Sequence, residues 1–148
     1  IIKRTLFFMS IMTDCIFCKI VKEEIPCNKI AESTNFIAFL DIAPNSEGHS
    51  LIVPKKHSTN LLDFPEYLGN ELVEFSQQVA AAIIAATNSE GFNFSLNNGS
   101  SAGQLVFHTH FHVIPRKQND SVAIGKHLSM TKEQLAATQK RIMQHMKS

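Results

Sequence analysis

The chain has 148 residues, 44% apolar, 18% charged and 8% aromatic. That is the balance of one ordinary globular domain, long enough to fold without disulfides or a metal. Fourteen basic and thirteen acidic residues leave a formal charge of +1, which argues against nucleic acid or an anionic membrane as a partner.

Residues 1–12 stand apart. Lys3 and Arg4 precede an apolar run from Leu6 to Met12 that is too short to span a bilayer and lacks a small-residue cleavage site. We expect an extension here, disordered or translated upstream of a start at Met9 or Met12, and a single domain over 13–148. Three cysteines, Cys15, Cys18 and Cys27, crowd into the first fifth of the chain, odd in number and unlike a secreted disulfide framework. This points to a reducing, cytoplasmic compartment.

From Cys15 to Pro26 a short helical piece is expected, ending near the Ile25-Pro26 pair. Ile30 to Ala31 and Phe36 to Ile42 read as strands, the second closed by Pro44, Asn45 and Gly48. Ser50 to Val53 supplies a partner, blunted by Pro54 and followed by Lys55, Lys56 and His57 in a loop. Asp63 is placed to cap a long helix, with Pro65 in its first turn and Glu66 in capping-box position. Leu68, Leu72, Phe75, Val79 and Ile83 then recur on one helical face until Asn88 and Gly91. Phe92 to Leu96 and Leu105 to Ile114 form two further strands, and Pro115 ends the sheet. The tail from Ser129 to Lys147 returns to helical spacing, with Thr131 and Gln134 able to form a capping box. The expected fold is α+β: a mainly antiparallel five-stranded sheet with one long helix and a C-terminal helix.

Three of the seven histidines fall at 108, 110 and 112 within the last strand pattern. Alternate strand residues share a face, so these rings project together while Phe107, Thr109, Phe111 and Val113 face the core. Neighbouring histidines would lie roughly 6.6 Å apart and the outer two about 13 Å. Two neighbours could share one metal ion; the outer two could not. At least one imidazole is thus left for nucleophilic, acid–base or hydrogen-bonding work. The preceding loop, Asn97, Gly99, Ser100, Ser101, Gly103 and Gln104, offers amides, hydroxyls and backbone N–H groups to an oxyanion. Cys15 and Cys18 have the spacing that lets two thiolates reach one zinc, although a redox dithiol or two buried cysteines share that spacing.

His108-Thr109-His110-Phe111-His112-Val113-Ile114 resembles the motif of the histidine-triad family. Cys15-Ile16-Phe17-Cys18-Lys19-Ile20, Phe39-Leu40-Asp41, Gly48-His49, Pro54-Lys55-Lys56-His57 and the segment from Asn97 to Gln104 resemble its nucleotide-binding branch. The resemblance implies a homodimer with sheets joined across the interface. It also implies an enzyme that cleaves a purine nucleoside phosphoramidate or phosphate, AMP- or GMP-like, through a covalent nucleotidyl-histidine. Dinucleoside polyphosphate hydrolysis, a nucleotide-binding regulatory module with little catalysis and a metal-storage protein are the competing readings.

By the same resemblance His110 is the nucleophile, held by a backbone carbonyl near His108. His112 binds the phosphate and helps protonate the leaving group, Gln104 and Asn97 donate to phosphate oxygens, Gly103 belongs to the same loop, and His49 supports the triad. Asp41 matches the acceptor of the ribose hydroxyls, and Phe17, Ile20, Phe39 and Ile42 match apolar positions around the base, with Phe39 equally readable as core. Cys15, Cys18, His57 and His108 match a structural Cys2His2 zinc site. Leu105 departs from relatives that carry a serine facing the phosphate, which counts against an aminoacyl-phosphoramidate preference. Pro115-Arg116-Lys117 puts cations near the strand end, and Cys27, His127 and His145 receive no role.

Overall fold

The structure, a computed structural model, describes residues 14–123 and 125–146; the extension expected over residues 1–12 lies outside the described residues. Five strands, β1 (Lys29–Glu32), β2 (Phe36–Leu40), β3 (Ser50–Pro54), β4 (Gly91–Leu96) and β5 (Phe111–Arg116), form one antiparallel sheet in the order β1-β2-β3-β5-β4. Among the described residues three α-helices accompany it: α1 (Ile16–Val21), α2 (Gly69–Thr87) and α3 (Lys132–His145). The α+β class, the five-stranded sheet and both long helices agree with the sequence. Among the described residues no helix is long and apolar enough to cross a membrane.

Alternation along the strands builds two cores. Phe36, Ala38 and Leu40 of β2, Ile52 of β3 and Phe111 and Val113 of β5 pack against Phe75, Val79 and Ile83 of α2 and Leu135 and Ile142 of α3. Ile37, Phe39, Leu51 and Val53 face the other way and meet Phe17 and Ile20 of α1. The central strands β2 and β3 are therefore buried on both faces. One layer consists of two substantial helices, the other of a six-residue helix and loops, and His112, directly paired with Leu51, belongs to the thinner side.

Several boundaries differ from the sequence reading, among them the end of the second strand, at Leu40 rather than Ile42, and the start of the last helix, at Lys132 rather than Ser129. The first helix stops at Val21, before Pro26, where Glu23 takes a left-handed φ of 61°. Asp63 is not the cap of the long helix: Asn60 caps a 3-10 turn, Leu61–Asp63, with Asp63 as the reciprocal partner of its capping box. Phe64, forced into extended backbone ahead of Pro65, breaks the run, and α2 begins only after a second 3-10 turn, Glu66–Leu68. The last strand starts at Phe111 rather than Leu105, because Leu96 pairs with Phe111 and β4 then leaves the sheet. Thr109 bonds instead to the carbonyl of Ser58 at 2.7 Å, and Phe107, expected in the core, is exposed. Pro115 does not end the sheet: β5 runs through it, since β3 is no longer alongside and the missing N–H costs no ladder bond.

Candidate active site

The Cys15-Ile16-Phe17-Cys18 segment folds into the first turn of α1, with the Cys15 thiol accepting from the Cys18 N–H. Both sulfurs thereby face one side. The turn after β3 brings His57 to them, and the segment before β5 brings His108. Cys15 Sγ lies 3.3 Å from His108 Nδ1, Cys18 Sγ 3.3 Å from His57 Nδ1 and 3.5 Å from His108 Nδ1, and the two Nδ1 atoms are 3.1 Å apart. A tetrahedron with metal–sulfur bonds near 2.3 Å and metal–nitrogen bonds near 2.0 Å has edges of roughly 3.3 to 3.8 Å. The four donor atoms all lie within 4.8 Å of one another, so their positions fit a metal ion.

The orientation of His108 fits as well. Its Nε2 donates to the Pro54 carbonyl at 2.8 Å, which leaves the Nδ1 lone pair aimed at the cluster. Burial pushes the Cys18 thiol up to about 12, with the neighbouring Cys15 adding to the shift, and presses the His108 ring down to about 4. The pocket resists free charge, and a bound cation would compensate thiolates there.

His110 begins where the cluster ends. Its Nδ1 donates to the His108 carbonyl at 2.6 Å, so in the neutral ring Nε2 carries a lone pair. Phe17 stands edge-on to both His110 and His108, with centroids 5.1 and 5.9 Å away. Burial lowers the His110 pKa, outweighing the opposing hydrogen bond to the His108 carbonyl and the charge of Asp41.

His112 has the other tautomer. The main-chain N–H of Asn45 donates to His49 Nδ1 at 3.0 Å, so the hydrogen of the neutral His49 ring sits on Nε2. That nitrogen lies 2.9 Å from His112 Nδ1 and 3.6 Å from Asp41 Oδ2. His112 Nδ1 therefore accepts, and its Nε2 carries the hydrogen, buried and with no partner among the described residues. Burial presses His112 down to about 4, with the neighbouring His110 and His49 adding to it. Asp41, His49 and His112 also approach one another closely enough for a metal, but in this tautomer His49 Nε2 turns a hydrogen rather than a lone pair toward the group. The rings of His110 and His112 are 5.0 Å apart at 62°. A lone pair stands beside an unpaired N–H donor: one can attack an electrophilic centre while the other binds an oxygen on it.

The remaining residues divide. Phe17, Ile20 and Phe39 are buried in the layer under α1, whereas Ile42 lies beyond β2, next to Asp41, and is 81% exposed. Asn97 reaches the Gly103 carbonyl at 3.5 Å, so the two ends of that loop meet. Gln104 is only 2% exposed and its amide is fully engaged: Oε1 accepts from Gly99 N–H at 2.7 Å, and Nε2 donates to the carbonyls of Thr59 at 2.6 Å and Val106 at 3.1 Å. It secures the loop and has no hydrogen left for a phosphate in this arrangement. Leu105 is 88% exposed. Cys27 borders the second core, and Arg116 is paired with Asp120. Sequence reasoning treated Asn45 as a turn residue and missed its backbone N–H on His49, which no side-chain pattern signals.

A family model described as HIT domain matches residues 22–119. The chain is 43% identical over 111 residues to the adenosine 5'-monophosphoramidase of Schizosaccharomyces pombe, an alignment covering 75% of this chain and 80% of that one. It is also 43% identical over 111 residues to adenylylsulfatase HINT3 of Arabidopsis thaliana, covering 75% of this chain but 56% of the relative, so it spans little more than half of that protein. Among solved structures, a zinc-bound histidine triad family protein from Mycobacterium smegmatis superposes with a TM-score of 0.81 at 30% identity, covering 91% of this chain and 94% of that one.

Proposed function

The chain belongs to the HIT domain family, and from that premise we propose that it hydrolyses a purine nucleoside phosphoramidate or related nucleotide through a covalent nucleotidyl-histidine. The observation that carries the reading is the opposite tautomers of two adjacent rings: His110 with its lone pair on Nε2, His112 with its hydrogen there. His110 Nε2 attacks the α-phosphorus as the bond to the leaving group breaks. The leaving nitrogen or oxygen departs with that electron pair and takes a proton from a water molecule, a step His112 aids by holding the phosphate in place. Water then attacks phosphorus, breaks its bond to His110 and releases the nucleotide. His112 Nε2–H holds a non-bridging oxygen through both steps, and His49 fixes the tautomer that lets it do so.

Asn97 and Gly103 line the phosphate loop, Asp41 takes the ribose hydroxyls, and Phe17, Ile20 and Ile42 border the base. Gln104 acts through the loop it secures. Cys15, Cys18, His57 and His108 hold zinc; with four protein ligands the ion is structural and pins α1 to the histidine segment. The names of the phosphoramidase relatives and the zinc-bound neighbour support these assignments. The protein is proposed to be cytoplasmic and a homodimer whose sheets join along β4. That edge exposes Phe92 and Phe94, whereas the opposite edge, β1, is four residues long and lined by the Lys29–Glu32 and Lys55–Glu32 pairs.

The test is a substrate panel of adenosine and guanosine phosphoramidates and dinucleoside polyphosphates, run on wild type and His110→Ala with a denaturing quench. We expect nucleotide mapped to His110 in wild type and loss of turnover by at least about a thousandfold in the variant. Undiminished hydrolysis by His110→Ala overturns the assignment.

A further inference from the structure

The loop from Ala43 to Glu47 lies between the His49–His112 pair and the C-terminal part of the chain. Its outer side is held almost residue by residue. His127 Nδ1 donates to the Ala43 carbonyl at 2.7 Å and Leu128 N–H to the Pro44 carbonyl at 2.6 Å. The Asn45 side-chain amide donates to the carbonyls of Lys126 at 3.0 Å and Ala123 at 3.3 Å. Glu47 accepts from Thr138 Oγ1 at 3.0 Å and pairs with Arg141. Ser46 is tied elsewhere, its hydroxyl donating to the Pro115 carbonyl at 2.8 Å. Toward the site, this loop delivers the Asn45 main-chain N–H to His49 Nδ1. All the partners beyond Pro115 lie past residue 119, outside the family match.

We infer that Asn45 is a positioning residue for the reaction: its side chain, clasped by the carbonyls of Ala123 and Lys126, aims its backbone N–H at His49 Nδ1 and thereby keeps His112 a donor at Nε2. The consequence of losing that aim follows from proton counting. If His49 carried its hydrogen on Nδ1, its Nε2 would present a lone pair to His112. His112 would then turn its own hydrogen inward to Nδ1 and face the substrate with a bare lone pair. Against an anionic oxygen that is repulsion where there had been a hydrogen bond. A main-chain N–H cannot be supplied by a different side chain, so the identity of residue 45 matters only through how firmly the loop is seated. The C-terminal segment is thus coupled to the chemistry without touching substrate.

The kinetic arm of the test rests on the hydrolase reading above; the spectroscopic arm does not. In the full-length, 15N-labelled protein, ring-nitrogen shifts from long-range proton–nitrogen correlation distinguish the two tautomers. Wild type is expected to show His49 and His112 as Nε2–H and His110 as Nδ1–H. Asn45→Ala keeps the backbone N–H but releases the clasp. It is expected to move His49 and His112 toward averaged shifts with His110 unchanged, and to lower kcat roughly tenfold with KM within about twofold. Asn45→Asp keeps the volume but loses both donors, and is expected not to restore either readout. Wild-type His49 found as Nδ1–H, unaltered His49 and His112 shifts in Asn45→Ala, or full rescue by Asp each overturns the inference. Should the shifts behave as expected while wild type hydrolyses no nucleotide substrate, the hydrolase reading fails and the role of Asn45 stands.

Discussion

His112 shows how a single side chain is tuned by what surrounds it. Its ring would titrate near 6.5 in the unfolded chain but only at about 4 in the fold, because burial and two neighbouring imidazoles penalise the cation. The folded-state value is depressed, so below pH 6.5 the unfolded chain takes up the proton first. The stability this group supports is complete above that pH and is lost as pH falls toward 4. Denaturation midpoints are therefore expected to drop between pH 7 and pH 4.5, and His112→Gln, compared at equal metal load, to drop less steeply. A variant as steep as wild type would show that His112 is not among the groups responsible. Gly48 is a second sensitive position. It sits immediately before His49 at φ +89°, and a Cβ there would lie 2.8 Å from the Thr87 methyl. Gly48→Ala is expected to cost about 2 kcal/mol in chemical denaturation, from the left-handed backbone and the contact with α2 together. The candidate residues that the structure brings together were largely visible in the sequence, because cysteine pairs and histidine rows stand out. The groups that set the state of those rings were not. The carbonyls of Pro54 and His108 and the N–H of Asn45 belong to the backbone and carry no residue signature, and Gln104 reads as a donor until its partners are known.

At the scale of elements, Glu71 joins pieces that are distant in sequence. One carboxylate oxygen accepts from Ser33 Oγ at 2.7 Å and Asn35 N–H at 2.9 Å, the other from Asn35 Nδ2 at 2.6 Å. The first turn of α2 is thereby fastened to the β1–β2 turn, where the helix also welcomes a negative charge. Glu71→Ala is expected to lower stability by about 1–2 kcal/mol in urea unfolding, without changing the ring-nitrogen shifts of the site. A loss confined to the site, with stability intact, would contradict this. The long helix was legible because Leu68, Phe75, Val79 and Ile83 keep helical spacing, and β2 and β3 because their residues are bulky, apolar and closed by turn formers. The start of α2 was not, since Asp63 satisfies a capping pattern locally while Pro65 interrupts the chain behind it. Nor was the bend over residues 106–108. An alternating sequence describes a strand only where a neighbouring strand is present, and β4 has already turned away at Leu96.

Across the whole molecule, the roles proposed for the Cys2His2 cluster and the β4 edge are integrity and assembly. Elemental analysis is expected to give about one zinc per chain. Chelation at neutral pH is expected to lower Tm by several degrees, at about 2–4 °C per kcal/mol for a protein of this size, and Cys18→Ser to reproduce most of the loss. A chelated protein with unchanged Tm and unchanged ring shifts would remove the metal from the account. Sedimentation is expected to give a dimer for wild type and a shift toward monomer for Phe92→Glu, which places a charge on the exposed edge; a wild-type monomer would sink the proposed joining of sheets.

One six-residue helix carries two duties at once. Phe17, which leans on the proposed nucleophile, is bracketed in the chain by the two thiols of the cluster. Anything that draws those sulfurs away, whether an oxidant or a competing chelator, is expected also to strip the wall from the proposed nucleophile and open it to solvent. Inactivation and loss of the proposed ion should consequently advance with a common time course, a vulnerability that the thicker side of the sheet, covered by α2 and α3, does not share.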